Sequence, residues 1–283
     1  MIRKLSALAK EFPFTCSVER LTLHTSFRHS QALTQNIHET ISKRSNPNQR
    51  IKTTLSTDSN ALFFKSSAIN SWKSKVRLTL GIQRAKRNGA GYDWPLEELL
   101  NTIDASKLNI PSASILGFGY IRHKLGWITE FFLLTEQLNL HIDGKDWLAS
   151  KEKDPKELIS RALALLLRLH KSNFIHLDPW AANFMINPHD LDDIRIVDLE
   201  NCVLTPTRYF QETLGMQFGI LYRRSVCDHV TEEYFDELVR HAISLHNIRC
   251  DDRFWRSYMT SKREKIARKS RRRTPLTGMI ISG

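Results

Sequence analysis

Long apolar runs are missing from this 283-residue sequence: its strongest, Ala162–Leu167, is six residues, against roughly 18–20 for a membrane-spanning helix. The sequence therefore offers no spanning helix. Cysteine is scarce, and Cys16, Cys202, Cys227 and Cys250 form no CxxC pair. That spacing excludes a dense disulfide framework and disfavours structural zinc, and it reads as reduced thiols in a cytosolic protein. Glycine is absent before Gly81, so the front of the chain contains no glycine-rich loop. No internal repeat and no aromatic-interleaved basic motif is present, which leaves nucleic-acid binding resting on charge alone.

Charge is present in quantity and unevenly placed. The chain carries 42 Lys+Arg against 30 Asp+Glu, a formal +12. Residues 1–88 are net +12, residues 89–261 net −7, and residues 262–283 net +7. A basic front and a basic tail thus flank an acidic middle, a pattern suited to an anionic partner. Met1–Lys4 is basic, but the apolar stretch after it is too short for a signal peptide. The basic, acid-poor first 50 residues leave an organellar transit peptide open.

Periodicity and breakers give the element order. Ile51–Leu55 and Ala61–Ser66 bracket the polar turn Ser56–Asn60 and predict a β-hairpin. After the breaker Asn88–Gly91, Pro95 opens a helix with Leu96, Leu99, Leu100 and Ile103 at helical spacing. Ser114–Ile121 and Trp127–Leu134 predict a second hairpin. Asp154-Pro155 caps a long buried helix running toward His170. Two short strands, Asn183–Ile186 and Ile194–Val197, follow, and helices resume over Tyr209–Arg223 and Glu232–Asn247. Residues 1–50 show only weak periodicity.

The chemistry concentrates in Phe174–Ile186. His176, Asp178 and Asn183 stand in the spacing H-x-D-x-x-x-x-N, and Asp198 ends a strand fifteen residues later. That is the layout of a protein-kinase-type catalytic loop with its second metal-binding aspartate. Phosphoryl transfer needs a positioned acceptor and neutralised phosphates more than covalent chemistry. Asp178 would orient the acceptor hydroxyl and accept its proton. Asn183 and Asp198 would offer the oxygen ligands that Mg²⁺ prefers. His176, placed in the catalytic set, would hold the loop backbone rather than act as acid or base. Lys65, after three apolar residues, is the candidate ATP-binding strand lysine; Glu98 is its candidate partner, with Glu97 adjacent. Thr135-Glu136-Gln137 would be the adenine hinge, with Glu136 in the nucleotide-binding set.

These residues resemble the lipopolysaccharide-core kinases, the family of Kdo and heptose kinases and related small bacterial kinase-like proteins. The matching elements are Phe64-Lys65, Arg84–Asn88, Asn109–Gly119, Ile128–Glu136, Ile175–Ile186, Ile196–Glu200 and Leu221–Ser225, within residues 50–245. The resemblance implies an α+β, bilobal protein-kinase-like fold. Residues 1–136 would form a small β-rich N-lobe with one helix, 137–261 a larger helical C-lobe, and 262–283 a basic tail. It implies ATP- and Mg²⁺-dependent phosphorylation of a sugar hydroxyl of the lipopolysaccharide inner core, or of a related glycolipid. The location implied is cytoplasmic, peripheral to the inner membrane, with the basic tail touching the anionic leaflet. By position, Asp178 is the base, Asn183 and Asp198 the metal ligands, and Lys65 the phosphate-contacting lysine.

The departures from the pattern also carry information. The glycine-rich phosphate loop is missing or replaced by a stretch such as Ser45–Gln49, Pro179-Trp180 follows the aspartate, and Asp198-Leu-Glu stands in place of Asp-Phe-Gly. No Ala-Pro-Glu segment follows, which argues for a small-molecule acceptor over a peptide. Two alternatives stay open: a kinase-like protein of little or no activity that binds an anionic surface, and an atypical protein kinase.

Overall fold

The computed structural model describes residues 8–46, 49–57, 61–82 and 93–281. The expected breaker Asn88–Gly91 and the stretch Arg84–Asn88 lie outside these residues. So do Met1–Lys4 and parts of Ser45–Gln49 and of the turn Ser56–Asn60. The chain forms two compact units, Met1–Ile103 with Ala113–Gln137, and Asp104–Ser112 with Leu138–Gly283.

The first unit is built on a six-stranded antiparallel sheet: β1 (Phe14–Val18), β2 (Leu21–Thr25), β3 (Ile51–Ser56), β4 (Ala61–Ala68), β5 (Ile115–Arg122) and β6 (Ile128–Glu136), in the order β1-β2-β5-β6-β4-β3. Alternation along β6 explains how both faces are covered. Phe131 and Leu133 enter one core with Phe118, Leu96, Leu99 and Ile103, so α3 (Trp94–Lys107) packs there. Phe132 and Leu134 enter the other with Phe64, Leu62, Leu33 and Ile37, which is the apolar face of α1 (Gln31–Ser42). A strand covered on both faces reads as a continuous apolar run. Each such Leu or Phe contributes about 1.5–3 kcal/mol of burial.

Both expected hairpins form, β3/β4 and β5/β6. The front of the chain is more structured than its sequence suggests. β1, β2, α1 and α2 (Trp72–Leu80) are additional, so among the described residues the first unit holds three α-helices where one was expected. α1 escapes notice because only Leu33, Thr34 and Ile37 of its residues are buried. Arg77 ties α2 to the base of α3 through Asp93 (2.8 and 3.0 Å).

In the second unit α4 (Gly144–Ala149) precedes α5 (Pro155–Lys171). The Asp154 side chain caps α5 by accepting from the Lys156 N–H at 2.9 Å, and its leucine stripe lies in the main core. α6 (Phe210–Leu221), α7 (Glu232–Leu245), α8 (Asp252–Arg263) and α9 (Arg268–Thr277) complete the helical part. Short strands β7 (Ile142–Asp143), β9 (Phe184–Asn187) and β10 (Asp190–Ile196) form one sheet. β8 (Ile175–His176) and β11 (Cys202–Val203) form another. α6 and α8 approach closely because Gly215 and Gly219 lack side chains; a Cβ on Gly219 would lie 2.5 Å from the Tyr258 carbonyl. Among the described residues no helix is long and apolar enough to cross a membrane.

Residues 262–283, expected as a separate tail, belong to the second unit. Lys262 is buried, with Nζ 2.6 Å from Asp236 and 2.7 Å from Glu232. α9 follows, and it packs against α6. The run Arg268–Arg273 reads as solvated because it is wholly polar, yet Arg268, Arg271 and Arg272 find partners inside the unit.

Candidate active site

Within the first unit the structure brings Lys65 and Glu98 together. Lys65 projects from β4 and is 5% exposed, and Glu98 on α3 is 7% exposed. The ammonium lies 3.0 Å from Oε1 and 2.9 Å from Oε2, so the carboxylate grips it with both oxygens. A buried lysine needs such a partner, since removing an ammonium from water costs several kcal/mol. The phase of α3 selects Glu98 over Glu97. Trp94, one turn before Glu98 on the same helix face, sets its ring 5.4 Å from the Lys65 ammonium.

Glu136 ends β6, where its N–H donates to the Ser114 carbonyl and its carboxylate accepts from the Ser114 N–H, both at 3.0 Å. Its amide and carboxylate thus close the sheet against Ser114. On the opposite sheet face from Lys65, Arg44 and Ser66 both donate to Glu130. This buried trio escaped the sequence reading because its members lie 64 and 86 residues apart. It fastens the chain after α1 to the sheet.

The second unit assembles the H-x-D-x-x-x-x-N segment. Asn183 donates its amide to the Asp178 carbonyl at 2.9 Å, which closes the loop. The Val197 N–H donates to the Asn183 carbonyl, also at 2.9 Å, and so sets Asp198 beside the loop. With the nitrogen of Asn183 engaged, its oxygen is the end suited to a cation. Asp198 sits in left-handed backbone, φ 61°, which an aspartate tolerates better than most residues. Asn183 oxygen and Asp198 carboxylate are hard oxygen donors, a set that fits Mg²⁺.

His176 is fully buried, and burial pushes its imidazole down to about 4. It is neutral at physiological pH and accepts the Asp178 N–H on Nδ1 at 3.3 Å. Gln217 of α6 donates to the His176 carbonyl at 2.8 Å. The His176 ring thus holds the Asp178 backbone, and its own carbonyl is held by Gln217. Gln217, invisible in the motif, is fully buried.

The Asp178 carboxylate accepts from Arg224 and Arg271. Arg224 lies in the π-helical turn Tyr222–Val226 after α6, and Arg271 on α9. Arg271 also donates to the Leu177 carbonyl at 3.0 Å. Burial, with Arg268 nearby, brings the Arg271 guanidinium down to about 10, so it still carries its charge. Arg268 meets Glu200 at 3.0 Å and Arg272 donates to Asn201 at 2.8 Å. Positions 268, 271 and 272 share one helix face, and that face grips the segment at Leu177 and Asp178 and the stretch after Asp198 at Glu200 and Asn201. The spacing of those arginines was the available signal; what it lacks is any apolar residue to announce a packed helix.

A model of the lipopolysaccharide kinase (Kdo/WaaP) family matches residues 69–240, more than half of the chain. No curated protein matches it. Solved structures similar to it include WaaP in complex with acyl carrier protein (13% identity, covering 85% of this chain and 89% of that one, TM-score 0.47). A divergent Toxoplasma kinase lacking the glycine-rich loop, which regulates membrane ultrastructure of the parasitophorous vacuole, is 12% identical, with 95% of each chain covered and a TM-score of 0.47. Vaccinia related kinase 3 is 10% identical, with 94% and 90% covered and a TM-score of 0.37.

Proposed function

Because the chain belongs to the Kdo/WaaP lipopolysaccharide kinase family, we propose that it transfers the γ-phosphate of ATP to a sugar hydroxyl of the lipopolysaccharide inner core, Kdo or heptose, or of a related glycolipid. The observation that carries this reading is the closure of the catalytic segment: Asn183 bonds to Asp178 through its amide and to Val197, next to Asp198, through its carbonyl.

Each residue then has a task. Asp178 orients the acceptor hydroxyl and takes its proton as the new P–O bond forms and the bond from the γ-phosphorus to the β–γ bridging oxygen breaks, releasing ADP. Asn183 and Asp198 hold Mg²⁺, which when bound neutralises phosphate charge. Lys65, held by Glu98, contacts the phosphates of the donor. His176 fixes the loop backbone in neutral form, and Gln217 braces it from α6. The same reading puts the protein at the cytoplasmic face of the inner membrane, where such an acceptor is presented. Arg268, Arg271 and Arg272 are engaged within the second unit, so membrane contact through the tail would fall to its other cations.

A second reading, a family member of little activity, is favoured by one observation. Two guanidiniums already occupy the Asp178 carboxylate, and an acceptor hydroxyl has to compete with them. Labelled ATP offered with core-oligosaccharide fractions separates the two readings. Label in a saccharide fraction supports transfer to sugar. Nucleotide binding without transfer to any fraction supports the second reading.

A further inference from the structure

We infer that Arg50, assisted by Lys52, holds the phosphate chain of the nucleotide, so that cationic side chains replace the backbone cradle of a glycine-rich loop. This inference rests on the phosphotransferase reading and specifies its donor side.

The sequence supplies the first part of the argument. Backbone nests for phosphate are built from successive N–H groups in turn conformations that glycine adopts most readily, and no glycine precedes Gly81. The sheet supplies the second. Its order ends at β3, so among the described residues no strand pairs outside β3 to form a covering hairpin. A triphosphate bound near Lys65 must be neutralised by other means.

The register places those means. Lys52 on β3 is directly opposite Lys65 on β4, and opposed residues of an antiparallel pair share a face. Like charges in that position repel and destabilise the pair. Arg50 immediately precedes β3. Its guanidinium lies 4.1 Å from the Trp94 ring centroid, the same indole that the Lys65 ammonium approaches at 5.4 Å. One ring thus brings a second cation alongside the donor-side lysine. Arg50 and Lys52, on the edge strand side of the sheet, also line a cavity of about 430 Å³ with Lys43, Arg44 and Gln49, and no acidic residue stands in its wall. A pocket this size suits a small ligand, and a guanidinium binds phosphate oxygens in pairs.

The test compares binding of ATP, adenosine and inorganic triphosphate to the full chain by calorimetry. Wild type is set beside Arg50→Ala, Arg50→Lys and Lys52→Ala, each checked for an unchanged circular dichroism spectrum. Arg50→Ala should weaken ATP and triphosphate roughly 10- to 100-fold, the worth of a charged hydrogen bond, and leave adenosine unchanged. Arg50→Lys should recover part of the loss, and Lys52→Ala should lose less. An unaltered ratio of ATP to adenosine affinity in Arg50→Ala overturns the inference while leaving the kinase reading intact. So does a variant that loses affinity for anionic vesicles and keeps it for ATP. Wild type that binds no nucleotide overturns the kinase reading and this inference with it.

Discussion

Replacing Glu98 by alanine should cost the protein about 3–5 kcal/mol, the usual penalty for stranding one member of a buried ion pair. The structure sets that magnitude. Lys65 is 5% exposed and lies 2.9–3.0 Å from both Glu98 oxygens, so water cannot readily take the place of the carboxylate. Domains are stable by about 5–15 kcal/mol in total, and such a loss would show as a large drop in the urea midpoint. The double variant Lys65→Met with Glu98→Leu removes both charges and keeps much of the volume. Buried pairs replaced in this way are often neutral or stabilising. The double variant should therefore unfold near the wild-type midpoint, with an unchanged m-value, and still transfer no phosphate. That outcome separates a site that costs stability from a contact that supplies it. A double variant as destabilised as the sum of its two singles would refute the reasoning, because the two charges would then act independently.

Three further outcomes follow from the second unit. Gly219→Val should lower the melting temperature by an overpacking cost of about 1–3 kcal/mol, since a Cβ there meets the Tyr258 carbonyl and the Lys262 nitrogen at 2.5 and 2.7 Å; an unchanged melting curve would show that α6 and α8 can part freely. His170 and His176 are both pushed from 6.5 down to about 4 by burial, so the unfolded chain binds more protons between those values. Their stabilisation is complete above pH 6.5 and is lost as pH falls toward 4, about 3 kcal/mol for each; urea midpoints that stay flat from pH 7 to 4.5 would contradict it. Removing residues 268–281 should reduce both phosphotransfer and thermal stability, because α9 holds Leu177, Glu200 and Asn201. A truncated chain that melts and turns over like wild type would make α9 a passive appendage.

How legible the molecule was in its sequence depends on what each element buries. α5 and the two hairpins announce themselves because apolar residues repeat at helical or strand spacing and Asp154-Pro155 marks a start. α1 and α9 do not, since α1 buries only Leu33, Thr34 and Ile37 and α9 is held by guanidiniums more than by apolar contact. The spacing of Asp178 and Asn183 carries a local signal because it closes a loop through the Asn183–Asp178 bond. Glu98 was a harder choice. Its 33-residue distance from Lys65 carries no local signal, and only the packing of α3 on the sheet favours it over Glu97. The Arg224 and Arg271 contacts to Asp178 were beyond reach for a related reason, since they join residues 46 and 93 positions apart. Net charge pointed outward to a partner, whereas much of the basic tail turns inward to the catalytic segment.

The central claim is that Asp178 and Asp198 serve phosphoryl transfer to a sugar. The most direct test is label transfer from γ-labelled ATP to core oligosaccharide by wild type, Asp178→Ala and Asp198→Ala, with circular dichroism confirming that all three are folded. Wild type should label the saccharide in the presence of Mg²⁺, and each variant should label none. Wild-type transfer by either folded variant would contradict the account.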